Sequence, residues 1–130
     1  MGSGGPAVVA AAQAALVLAQ GVLAGRFLTG DGDALGLHER LGTEVLTLVA
    51  AVSFVLAVLV WRPGRGPGWP ALAALIGGLA IPFQIVFGFE RRLELHVPLA
   101  IAIFGLYLSV ALVARARSRT QAGRRPTLST

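Results

Sequence analysis

Four apolar stretches, at about 7–28, 41–61, 69–89 and 95–114, leave this chain few choices. Each is close to the roughly 20 residues that carry a helix across a hydrocarbon core. In lipid every backbone N–H and C=O must be satisfied within the segment, so the spans are expected to be helical. The connections are too short to fold as a soluble domain. Composition agrees, because 55% of the 130 residues are hydrophobic, 13% are charged and the mean hydropathy is +0.76, which cannot clothe a soluble core in polar surface. The expected fold is all-α: a four-helix transmembrane domain over 1–114, then an Arg-rich cytoplasmic tail over 115–130.

Charge placement predicts the orientation. All eleven basic residues are Arg; Arg62 and Arg65 lie between the second and third spans, and Arg115, Arg117, Arg119, Arg124 and Arg125 fill the tail. The acids Asp31, Asp33, Glu39, Glu44, Glu90 and Glu94 gather around the other two connections. By the positive-inside rule both termini are cytoplasmic in a multi-pass cell-membrane protein. Arg26, Arg40, Arg91 and Arg92 weaken the asymmetry without reversing it. The Gly-rich, uncharged N-terminus ahead of a full-length span reads as a retained anchor rather than a cleaved signal. Beside a membrane exit the Arg tail reads as a topology signal and lipid contact, not as a nucleic-acid-binding arm. With no cysteine, disulfides, thiolate metal sites and Cys-linked haem are excluded.

The turn-forming run RPGRGPG, 62–68, divides the chain into two helical pairs that share a pattern. Gln20 matches Gln84, His38 matches His96 and Gly42 matches Ala100; the separation from Gln to His differs by six residues, which an outer loop can absorb. Both pairs start on the same side, so they are expected to be parallel repeats about an axis along the membrane normal. An up-down-up-down bundle then sets the second and fourth helices diagonally across the core, with both histidines at its outer end.

The chain has two histidines, and each opens an apolar segment. With α-helical spacing His38 stands over Gly42, Val45 and Val49, and His96 over Ala100, Ile103 and Tyr107. Each imidazole then borders a small residue and an apolar slot. A flat macrocycle with one neutral nitrogen ligating from each side fits such an arrangement, as in bis-histidine haem. Its carboxylates would need cations at the outer surface, where Arg26, Arg40, Arg91 and Arg92 are the candidates. Two other readings stand beside this one: interfacial histidines that are only solvated, and a zinc site completed by Glu39 and Glu94. Gln20 and Gln84 read as interhelical glue or as supports for a histidine or a bound group. Gly21 with Gly25, and Gly77 with Gly78, read as close helix contacts. Glu44 pairs in sequence with Arg40, the acid four residues on from the base.

Gln-x-x-x-Ala-Gly at 20–25, Gln-x-x-x-Gly at 84–88, and His-x-x-x-Gly and His-x-x-x-Ala from His38 and His96 resemble one four-helix half of the haem A synthase family. More closely, the chain resembles small four-helix membrane proteins of actinobacterial type that carry the same Gln-Gly-His pattern twice. The resemblance implies a haem b protein with His38 and His96 as axial ligands, serving electron transfer or haem handling. It does not imply haem A synthesis: that family joins two such halves and has an outer-loop catalytic glutamate, for which Glu39 and Glu90 are the possible but unaligned counterparts. The partners it leaves open, besides the lipid bilayer, are a redox partner, a quinone and a second copy of the chain. The contrasting function is a non-haem membrane scaffold or assembly partner of a larger complex.

Overall fold

The computed structural model describes residues 5–123 apart from Pro63 and Arg65; Arg124 and Arg125 of the tail lie outside the described residues. Four helices follow one another: α1 (Gly5–Leu28), α2 (Gly32–Trp61), α3 (Trp69–Phe89) and α4 (Leu93–Gly123). All four are long and apolar enough to cross a membrane. The protein is an all-α, multi-span membrane protein. Helix α1 packs on α2 and α4, and α3 on α2 and α4, while neither diagonal pair, α1 with α3 or α2 with α4, comes into backbone contact among the described residues. The helices that bear His38 and His96 are therefore the diagonal pair.

Alanine builds most of the core, with Ala14, Ala50, Ile81, Ile103 and Tyr107 at its centre. Small side chains let helices approach closely where lipid offers no hydrophobic drive to associate. Tyr107 is fully buried, and its ring lies where a Cβ on Gly77 would fall 2.8 Å from Cε2. Of the glycines expected at helix contacts, Gly77 alone bears that out: a Cβ at Gly21, Gly25 or Gly78 would meet nothing within 4 Å. Those three lie on open faces, because the apolar pattern of a membrane helix does not mark its inner side. Large apolar side chains such as Leu48, Leu79 and Ile101 point outward, as lipid contact requires. Trp61 and Trp69 mark one interface, with the Arg62 guanidinium 5.0 Å from the Trp61 ring centre.

Both turns at the opposite end of the bundle are built alike. In the first, Asp31 N–H donates to Arg26 O (3.1 Å) and Gly30 N–H to Phe27 O (3.0 Å); in the second, Arg92 N–H donates to Phe87 O (2.9 Å) and Arg91 N–H to Gly88 O (3.1 Å). Each is a Schellman motif, with a left-handed residue just past the helix. That residue is Gly30 (φ 104°) in one turn and Arg91 (φ 56°) in the other. A side chain is strained there, so Arg91→Gly is expected to stabilise the protein by about 1 kcal/mol, net of the unfolded-state entropy that glycine adds. Thermal unfolding in detergent checks this, and an unchanged or lowered midpoint contradicts it.

These turns correct the expectation that a longer loop absorbs the six-residue difference between the halves. Gln20 lies ten positions before Gly30 and His38 eight after it, against seven before Arg91 for Gln84 and five after it for His96. The first hairpin is three residues, almost one helical turn, taller on each arm. Asp31 caps the returning helix, accepting from Ala34 N–H at 3.2 Å, and holds Arg26 at 2.6 Å. Helix α2 consequently starts at Gly32 rather than near 41 and runs for 30 residues, about 45 Å. His38 sits two turns inside this helix, not ahead of it. Likewise α4 continues past 114 to Gly123, so Arg115, Arg117 and Arg119 project from a helix.

Candidate functional site

The site forms where the two hairpins bring His38 and His96 together. Their ring centres are 6.1 Å apart and the planes are inclined by 56°. Both rings are half-buried, and each is held by the helix that precedes its own. His38 Nδ1 donates to the Gln20 carbonyl at 3.1 Å, and His96 Nδ1 donates to the Gln84 carbonyl at 2.8 Å. A carbonyl can only accept, so Nδ1 carries a proton in each ring, and in the neutral form of the imidazole Nε2 is then the nitrogen with the lone pair. Among the described residues no hydrogen bond joins either Nε2 to the protein. The matched glutamines therefore act first through their backbones, which the sequence pattern alone did not reveal.

Their side chains differ. Gln84 Nε2 donates to the His96 carbonyl at 2.8 Å, closing a reciprocal pair between α3 and α4. The Gln20 amide is 8% exposed, yet neither its Nε2 nor its Oε1 finds a partner; Gln84 Oε1 is unpartnered too. Unsatisfied amides in a membrane bundle are costly. Gly42 faces Gln20: a Cβ there would lie 3.7 Å from Nε2, an ordinary contact, so the position adjoins the amide rather than an open slot beside His38. Ala100 is half-buried below His96.

A π-helical segment, Leu41–Leu46, lies directly beneath His38. It explains why Leu46 and Ala50 are buried below His38 where α-helical spacing pointed to Val45 and Val49. Ala34, His38, Gly42, Leu46 and Ala50 follow one another in steps of four, and in an α-helix of 3.6 residues per turn each such step overshoots by about 40°. The wider π turn takes up that excess and keeps the stripe on one side. Gln13, fully buried, donates Nε2 to Leu46 O at 3.1 Å, tying α1 to the end of this segment. In α4 the spacing stays α-helical, and Ile103 and Tyr107 are buried below His96 as expected.

Gly88 joins the site although sequence reasoning left it out as a site residue. A Cβ on it would fall 3.0 Å from His96 Cε1 and 3.2 Å from Nδ1. Its place four residues after Gln84, on the same helix face, was the available signal. Gly88→Val is expected to push the imidazole off the Gln84 carbonyl, read as loss of the hydrogen-bonded Nδ1–H signal of His96 in nitrogen NMR. An unchanged signal would mean that the ring shifts without losing the bond.

The four candidate cations are all exposed. Arg26 is paired with Asp31, and Arg92 lies 3.5 Å from Glu94 with its guanidinium 5.6 Å from the Phe87 ring centre. Arg40 and Arg91 have no ion pair among the described residues. The pairing of Arg40 with Glu44 does not form: Glu44 is exposed on the π segment, which alters the spacing that an α-helical pair needs. No group of three or more His, Asp or Glu that could hold a metal occurs among the described residues, so the zinc reading lacks its ligands. No family model, characterised protein or solved structure matches this chain, so what it is rests on its own geometry: a four-helix membrane bundle with two apposed imidazoles near one end.

Proposed function

We propose that His38 and His96 are the axial ligands of a haem b, in a membrane protein that transfers electrons or handles haem. The observation that carries this reading is the pair of imidazoles 6.1 Å apart, each with Nδ1 spent on a backbone carbonyl. A metal held by one nitrogen of each ring would need the two imidazoles about this close. Orienting a ligating imidazole through its other N–H is the usual support for such a bond. The residues suit the group chemically as well, because the buried, unpartnered amide atoms of Gln20 and Gln84 belong to the residues that hold the rings. One-electron transfer is the chemistry that haem supplies between two histidines. His38 and His96 would hold the group, Arg40 and Arg91, without an ion pair among the described residues, would be free to meet its carboxylates, and Arg26 and Arg92 would exchange an acid partner to do so. Ala100 keeps the flank beside His96 small, while Gly42 adjoins the Gln20 amide.

In this reading the two hairpins are parallel repeats, supported by the matching carbonyl-to-imidazole bonds and turns, and both termini are cytoplasmic, supported by the Arg at that end. A quinone or a redox protein would take the electron, and a second copy of the chain could adjoin the bundle.

A second reading, a non-haem scaffold or assembly partner, is favoured by a specific observation: the described residues hold no larger cluster of metal ligands, and four apolar helices with broad outward faces need no cofactor to explain them. It asks the least of what is observed. Purification separates the two. Protein that carries a Soret band and a sharp reduced α band supports haem, and colourless protein from cells supplied with haem supports the scaffold.

A further inference from the structure

We infer that the outward face of α2 around Glu44 binds a second copy of the chain within the membrane. Helix α3 has 21 residues, a length of about 31 Å, so its ends mark the edges of a hydrocarbon core about 30 Å thick. His96 stands three residues inside the start of α4, with His38 beside it, and Glu44 lies six residues farther along α2. The carboxyl therefore sits about 13 Å below the edge, near mid-membrane. It is exposed there, on the outside of the bundle. Exposed Thr47, one turn deeper, is its neighbour, and neither residue makes a hydrogen bond or ion pair among the described residues. An ionisable group at such a depth is costly until it is partnered.

Lipid tails supply no partner, and headgroups lie beyond the edge of the core. The face is instead complementary to itself. Exposed Leu48 lies about 60° to one side of Ala51 around the helix. On the other side Thr47, Ala50 and Phe54 line an apolar groove of about 210 Å³, shared with Leu75, Gly78 and Leu79 of α3. A two-fold axis along the membrane normal sets each side against the opposite side of the other copy. Leu48 of each copy then enters the other's groove, and the Glu44 carboxyl meets the other's Thr47 hydroxyl. Ala51, next to the axis, is small enough for the two helices to approach closely. The pairing is independent of whether haem is bound.

The chain has no cysteine, so Ala51→Cys places a single thiol beside the axis. In phosphatidylcholine vesicles at high lipid-to-protein ratio, oxidation by lipid-soluble iodine is expected to join this full-length variant into a disulfide-linked dimer. Ile101→Cys, whose thiol faces lipid on α4, is expected to stay monomeric. Adding Glu44→Leu to Ala51→Cys should slow the crosslinking about tenfold, since two interhelical hydrogen bonds are lost. Glu44→Gln, which keeps a hydrogen-bonding group, should retain most of it. An Ala51→Cys protein that crosslinks no faster than Ile101→Cys, or one that Glu44→Leu leaves unchanged, overturns the inference and leaves the face to lipid or to another protein's span bearing a cation.

Discussion

Replacing either His38 or His96 with alanine is expected to convert a low-spin haem spectrum to a high-spin one and to weaken haem retention severely, while the bundle still inserts. Insertion depends on the four apolar spans, which neither change touches. Ligation depends on two nitrogens, and there is no third histidine to replace a lost one. The expected loss exceeds the roughly 10–100-fold that changes in a ligand's supporting hydrogen bonds cost. Gln20→Leu and Gln84→Leu are the comparison. Each keeps the carbonyl that holds the ring, so the low-spin spectrum should survive in both. Gln84→Leu should cost more stability, because it also removes the 2.8 Å bond to the His96 carbonyl, whereas the Gln20 amide has no bond to lose. Both His→Ala proteins holding haem with an unchanged low-spin spectrum would transfer the case to the scaffold reading.

Deleting Thr43 should separate the histidines without touching either. The π segment Leu41–Leu46 holds one residue more than an α-helix needs over the same rise, and its removal lets the ladder close into regular α-helix. Everything before the deletion then turns by about 100° relative to the rest of α2. His38 leaves the Gln20 carbonyl, and Gly42 leaves the Gln20 amide. The apposition of the rings is lost although composition and helix content hardly change. In haem-free protein, copper(II) bound between two imidazoles reports this by electron paramagnetic resonance: a two-nitrogen signal in the parent and its absence in the deletion. A surviving two-nitrogen signal would show that the π segment does not aim His38.

Much of this was legible in the residues. The pairing of Gln20 with Gln84 and of His38 with His96 came from a pattern repeated across a Pro- and Gly-rich divide, and the structure does bring the two histidines together. The regular burial of Ile103 and Tyr107 beneath His96 also followed, since α4 keeps 3.6-residue spacing there. Beneath His38 the same rule pointed to Val45 and Val49, and a π turn put Leu46 and Ala50 there instead. No local residue preference announces that turn. It persists because α1 rewards it, through Gln13 on the Leu46 carbonyl and Gln20 on the His38 ring.

By itself the sequence determined that this chain crosses a membrane as four helices, because apolar length and backbone hydrogen bonding admit no other arrangement in lipid. Tertiary structure alone decided which glycines meet another helix, because in lipid the apolar pattern does not distinguish inside from outside: Gly77 receives the Tyr107 ring and Gly21 faces open space. It also decided that Gln20 and Gln84 serve His38 and His96 through their backbone carbonyls, since every residue owns a carbonyl and only the packing of neighbouring helices selects the one an imidazole can reach.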